Sequence, residues 1–192
     1  MSEQSPDNRP RLDQLLVDRG LFATRSRARD AIQRGTVKVD GKPVTKPGQN
    51  VLRTAELTVD DPASAYVSRG ALKLIAALDH FNLDVRGLQA LDIGASTGGF
   101  TQVLLERGAN HVVAIDVGHD QLHPTLRNDL RVTNKEGVNA RALDFNHLDG
   151  RDIGCVVSDV SFISLKLALP PALAFAQKDA ICALLVKPQF EA

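Results

Sequence analysis

The stretch Leu91-Asp-Ile-Gly-Ala-Ser-Thr-Gly-Gly-Phe100 runs from an apolar strand pattern through a glycine-rich turn into the start of a helix. Strand, turn and helix in that order open a parallel α/β unit, and the flanking sequence repeats the alternation. Short apolar runs occur at Leu88–Ile93, His111–Asp116, Asn139–Leu143, Ile153–Asp159 and Ala180–Val186. Runs of this kind read as parallel strands buried on both faces. Phe100–Glu106 and Leu165–Ala176 read as helices between them. The expected fold is therefore α/β, an open Rossmann-like sheet with helices on both faces.

Composition agrees with a folded chain. The 192 residues leave room for one domain and a smaller companion, and 43% hydrophobic with 24% charged residues is ordinary for a globular protein. The longest apolar runs, such as Ile181–Val186, are far short of the roughly 18 residues of a membrane span. The polar start, MSEQSPDNRPR, shows no secretory signal pattern. Cys155 and Cys182 both lie in apolar runs, which predicts buried, reduced thiols and a cytoplasmic protein.

The net charge of zero hides an asymmetry. Between Arg19 and Lys46 eight basic residues face only Asp30 and Asp40, a surplus of six, whereas from Ala63 onward acids outnumber bases by fourteen to twelve. A basic segment in a neutral chain suits docking on a polyanion, although a solvated charged face reads the same way. This segment has its own grammar. Leu12, Leu15 and Leu16 followed by Gly20 read as a short helix with a glycine stop. Thr24 can cap a second helix and Gly35 can end it, with Ala28, Ala31 and Ile32 as its apolar stripe. Thr36–Val39, Asp40-Gly41 and Lys42–Val44 read as a hairpin, and Leu57–Val59 as one more strand. The expected layout is a tail at residues 1–10, a small α+β module at 11–60, a linker at 61–66 and the α/β domain at 67–192. Arg11–Val59 resembles the small RNA-binding domain named after ribosomal protein S4. That resemblance implies RNA contacts from Arg11, Arg25, Arg27, Arg29, Arg34 and Lys38, since guanidinium groups grip phosphates and stack on bases.

The glycine loop narrows the ligand. A dinucleotide site prefers G-x-G-x-x-G, and a P-loop needs G-K-[ST]; here an acid, Asp92, precedes G-x-x-x-G-G. That order suits a phosphate-free ligand with a cationic amino-acid portion, such as S-adenosylmethionine. Asp116 is placed to accept ribose hydroxyls, and Asp144, read as ending the third strand, to accept from the adenine amino group. The expected cofactor lining is Asp92, Gly94, Ala95, Ser96, Thr97, Gly98, Gly99, Phe100, Asp116, Val117, Asp144 and Phe145. The competing reading is three unrelated acids at strand ends.

Lys73, in SRGALKL, Asp159, in SDVSFISL, and Lys187, in LVKPQFE, adjoin apolar residues where a lone charge is costly. These contexts, together with LDIGASTGGFT, resemble the TlyA family, ribosomal-RNA 2′-O-methyltransferases also called haemolysins, whose catalytic domain is similar to that of FtsJ. The resemblance spans the chain from Arg11 onward. It implies that Lys73, Asp159 and Lys187 are three members of a Lys-Asp-Lys-Glu catalytic tetrad, with Lys187 as proton acceptor or hydroxyl orienter and the other two as positioning groups. A nearby cation and burial favour the neutral form of a lysine, and an adjacent carboxylate opposes this. The family's last glutamate and two further strands have no counterpart before residue 192, so the expectation is an incomplete sheet and impaired activity for this stretch. Asp120 stands where the family usually has glycine.

Other patterns carry less. His119 and His123, spaced i and i+4, lack a third ligand, so no metal is expected. Ser96 and Thr97 have no paired base. The expected partners are ribosomal RNA or ribosomal subunits and no membrane. The alternatives are an RNA-binding protein with an inert methyltransferase fold, and a haemolysin-like cytolysin.

Overall fold

The structure, a computed structural model, describes residues 9–192 and divides into two compact units, one ending at Pro62 and the other starting at Ala63. The tail expected at residues 1–10 lies, for residues 1–8, outside the described residues. Pro10 is already part of the fold, because its carbonyl accepts the Val51 N–H at 3.1 Å.

The first unit opens with helices α1 (Leu12–Asp18) and α2 (Arg25–Gln33). Thr24 Oγ1 caps α2 by accepting the Arg27 N–H at 3.3 Å. Ala28, Ala31 and Ile32 are fully buried against Leu12, Leu16 and Val37, so the expected stripe is the packed face. An antiparallel sheet follows, with β1 (Val37–Val39) between β2 (Lys42–Pro43) and β3 (Leu57–Val59). The β1–β2 turn places Asp40 and Gly41 at φ of 49° and 76°, as a two-residue hairpin requires. The expected linker starts inside this unit, since Asp61 is buried and ion-paired with Arg34 at 2.6 Å. Pro62–Ala65 then forms a 3-10 turn.

The second unit holds α3 (Ala71–His80), β4 (Gln89–Ile93), α4 (Gly99–Glu106), β5 (His111–Asp116), α5 (Pro124–Arg127), β6 (Val132–Glu136), β7 (Ile153–Ser158), α6 (Leu165–Ala174) and β8 (Ala176–Leu184). The five strands are all parallel in the order β6-β5-β4-β7-β8. The chain therefore winds outward from β4 to β6 and then returns to the other side of β4. Winding reverses between β4 and β7, and a crevice opens at the carboxyl ends of such a pair. Alternate strand residues face opposite cores. Ala90, Val112 and Val157 pack with Leu74 of α3 and Leu104 of α4, while Leu91, Val113 and Val156 pack with Leu169 of α6.

Two expectations are corrected. The third strand is β6, at Val132–Glu136, and not Asn139–Leu143, which instead contains a 3-10 turn at Ala140–Ala142. The polar sequence VTNKE is half-buried throughout, so it lacks the apolar run of a central strand. Val138, Ala140 and Leu143 supply apolar contacts to the α6 side while Asn139 Oδ1 caps the turn on the Arg141 N–H at 3.0 Å. Cys155 is buried and burial pushes its thiol up to about 12, but Cys182 is exposed because it lies on the last strand in the sheet order. Among the described residues no helix is long and apolar enough to cross a membrane.

Candidate active site

A cavity of about 650 Å³ lies at the carboxyl ends of β4, β5 and β7, within the usual range for a small-molecule site. The turn after β4 forms its floor. Gly94 has φ of +78°, and a Cβ there would meet Val160 Cγ1 at 2.9 Å, so glycine is needed both for the turn and for the close approach. Several of the loop's amides are spoken for. Gly94 and Ala95 N–H donate to the Ile115 carbonyl, Ser96 N–H donates to Asp116 Oδ2 at 2.7 Å, and Gly98 N–H donates to the Ala95 carbonyl. Amides spent in this way are not turned to an anion, unlike those of a pyrophosphate loop.

The charge of the lining points the same way. Asp92, Asp116 and Asp159 line the cavity against one cation, Lys187. Asp92 is 1% exposed, and burial pushes its carboxyl up to about 7 although Thr101 Oγ1 donates to it at 2.7 Å. An acid in this position gains from a cationic ligand nearby. Asp116, at the end of β5, accepts the Ser96 and Gly118 N–H groups, and each carboxylate oxygen keeps a lone pair for a hydroxyl. This donor set fits S-adenosylmethionine.

The basic residues expected for chemistry meet at one carboxylate. Asp159 follows β7; Lys73 Nζ, from α3, donates to its Oδ2 at 2.9 Å, and Lys187 Nζ, past the end of β8, lies 2.7 Å from its Oδ1. Lys187 Nζ also donates to Ser161 Oγ at 2.6 Å and to the Asp159 carbonyl at 3.3 Å. Lys187 borders the cavity, and Lys73 stands behind Asp159. The sequence offered no cue to Ser161, nor to Phe162, which is 91% exposed with φ of +65° and has its ring 5.3 Å from that of Phe190. Backbone strain of that sort tends to gather at functional sites.

Of the other expected cofactor residues, Ala95, Gly99, Phe100 and Val117 line the cavity with Gly94 and Ser96. Thr97 and Gly98 belong to the same loop without lining it, and Gly98 packs on Leu122 and Leu126 instead. Asp144 and Phe145 are misplaced by the expectation. Asp144 caps the 3-10 turn Phe145–Leu148 by accepting the His147 N–H, and both residues are exposed outside the cavity. The acid that ends the third strand is Glu136, and the wall expected from Asp144 is built by Val138, Asn139 and Ala140. Glu136 holds the neighbouring loop, accepting the N–H groups of Asp120, Gln121 and Leu122 at 2.7, 3.1 and 3.2 Å, and those bonds push its carboxyl down to about 2. His123 caps α5 through its ring, so it and His119 do not share a helix face.

Several of the residues expected to contact RNA have internal partners. Arg11 and Arg25 both pair with buried Asp13 at 3.1 Å, and Arg34 pairs with Asp61. Arg29 and Lys38 are exposed, and Arg27 is half-buried.

Residues 66–192 match the FtsJ-like methyltransferase family and residues 10–57 match the S4 domain. The 16S/23S rRNA (cytidine-2′-O)-methyltransferase TlyA of Mycobacterium tuberculosis is 52% identical over 95% of this chain and 68% of its own length. Hemolysin A of Brachyspira hyodysenteriae is 41% identical over 95% of this chain and 75% of its own length. A solved structure from Streptococcus thermophilus that carries the name hemolysin superposes with a TM-score of 0.70 at 42% identity, covering 96% of this chain and 68% of that one.

Proposed function

The chain belongs to the FtsJ-like methyltransferase family, within the TlyA group, and from that premise we propose that it methylates a ribose 2′-hydroxyl of ribosomal RNA, with the S4-type unit docking on the RNA. The observation that carries this reading is the Asp159 carboxylate held between Lys73 and Lys187 at the wall of an acidic cavity.

When bound, S-adenosylmethionine supplies a methyl group on a positively charged sulfur. Asp116 would hold its ribose, Asp92 would face its cationic amino-acid portion, and Val138, Asn139 and Ala140 would enclose its base. The chain's own task is alignment, because a methyl transfer of this kind depends on placing the attacking oxygen in line. Asp159 fixes both lysines, and Lys187 Nζ is the group at the cavity that orients the incoming hydroxyl. The hydroxyl proton leaves as the carbon–oxygen bond forms. Lys187 is in place to take it once its own proton has passed to solvent, and Lys73 keeps Asp159 from turning away.

Transfer of a tritiated methyl group from S-adenosylmethionine to ribosomal RNA tests this reading. The expected product resists alkaline cleavage at the modified nucleotide, because the ribose has lost its internal nucleophile. A methyl group found on a base overturns the proposal, and RNA binding without transfer supports an inert fold instead.

A further inference from the structure

Gly118 follows β5 by two residues, and its α-carbon lies beneath two polar groups. A Cβ placed there would overlap the side-chain amide of Gln121 and come within 3.2 Å of Asp116 Oδ1. The Gln121 amide is therefore folded back over Gly118, beside the carboxylate that ends β5, and both side chains line the cavity. Its backbone is not loose. Glu136, at the end of β6, takes the amide protons of Asp120, Gln121 and Leu122 on one carboxylate, so the turn carrying Gln121 is tied to the sheet.

An acceptor and an amide donor side by side match a vicinal diol. Each hydroxyl of a ribose can donate to the carboxylate and accept from the amide. We infer that Gln121 is a cofactor-binding residue that pairs with Asp116 on the ribose diol and sets the preference for a ribonucleoside over its deoxy analogue. This rests on the proposal that the cavity takes S-adenosylmethionine. Gly118 is then required as the seat of the amide: its φ is outside the left-handed region, so alanine suits the backbone, but a methyl group there would push the Gln121 side chain aside.

Titration calorimetry with S-adenosylhomocysteine, with adenosine and 2′-deoxyadenosine as competitors, tests this without any methyl transfer. Gln121→Ala is expected to weaken S-adenosylhomocysteine binding about 5-fold, the scale of one neutral hydrogen bond, and to narrow the gap between adenosine and 2′-deoxyadenosine. Gly118→Ala is expected to give the same loss by displacing the amide, and the double variant no more than either single change. Wild-type affinity in Gln121→Ala, or fully additive losses in the double variant, overturns the role of Gln121 while leaving the cofactor reading intact. Failure of the unaltered protein to bind any adenosyl compound overturns both.

Discussion

Asp13 in the N-terminal unit and Asp159 in the α/β unit each hold two basic side chains, yet the two clusters are built differently. Asp13 is fully buried, and the guanidinium groups of Arg11 and Arg25 close over it, each about half exposed (51% and 50%). Arg11 binds it through two nitrogens, Nε and Nη2, both at 3.1 Å. Those interactions, first of all the Arg11 hydrogen bonds, hold the Asp13 carboxyl below the usual carboxylate range. Planar forks that reach one carboxylate from the entries of α1 and α2 make a brace. Asp159 keeps 20% of its side chain exposed at the cavity, and its partners are compact ammonium groups. An ammonium is a point charge with donors to spare, so this cluster can address a substrate. Asp92 is the third case, a buried carboxylate with a hydroxyl partner and no cation within hydrogen-bond distance, and its carboxyl is raised where that of Asp13 is lowered.

The largest effect is expected at the addressable cluster. Lys187→Ala should lower methyl transfer by at least about 100-fold, the scale of a missing acid–base or orienting group, with the melting temperature nearly unchanged. Retained activity would place Lys187 with the braces. At Asp92 the sign is reversed. Its folded pKa of about 7 lies above the unfolded value, so ionisation weighs against the fold increasingly as pH rises from about 4 to 7. Asp92→Asn should therefore stabilise the ligand-free protein, by about 2–3 kcal/mol more at pH 8 than at pH 5. Denaturant unfolding at the two pH values reads this, and an equal gain at both would show that Asp92 is not a lone buried acid.

Asp13→Ala should destabilise the N-terminal unit by about 1–3 kcal/mol at pH 7. The stabilisation belongs to an ionised carboxylate with a lowered pKa. It is present above the ordinary carboxylate pKa of about 4 and fades as pH falls through the folded value, so wild type and variant should converge in acid. Arg29→Ala with Lys38→Ala should leave unfolding unchanged but reduce the salt slope of RNA binding by up to about 2, one for each phosphate that is no longer neutralised. Arg11→Ala should lower stability as well, which separates the brace from the exposed cations. The smallest effect is expected at Asp144. Because it caps a turn outside the cavity, Asp144→Asn should change S-adenosylhomocysteine affinity by less than about 2-fold.

Strands differ in how plainly their residue types announce them. A central strand is legible because both faces are buried, as in His111–Asp116, whose bounds match the apolar run residue for residue. Val132–Glu136 is half-buried along its whole length, so nothing in its residue types separates it from a loop. The nearby apolar residues Val138, Ala140 and Leu143 imitate a strand while serving one-sided packing. An apolar run placed at Asn139–Leu143 ends at Asp144, whereas the strand itself ends at Glu136.

Residue types and their order are enough for the two-part composition of the chain, the four central and C-terminal strands, the capped arginine-rich helix, the glycine turn and the two lysines paired with Asp159. Each depends on a local signal: period, cap, turn residue or motif. Only the folded chain shows which arginines are spent on Asp13 and Asp61, which loop residues face the cavity, that Ser161 and Gln121 line it, and that Glu136 holds the neighbouring loop. Those assignments depend on distances between segments far apart in the chain, and a polar side chain looks the same in sequence whether its partner is water, a backbone amide or a buried acid.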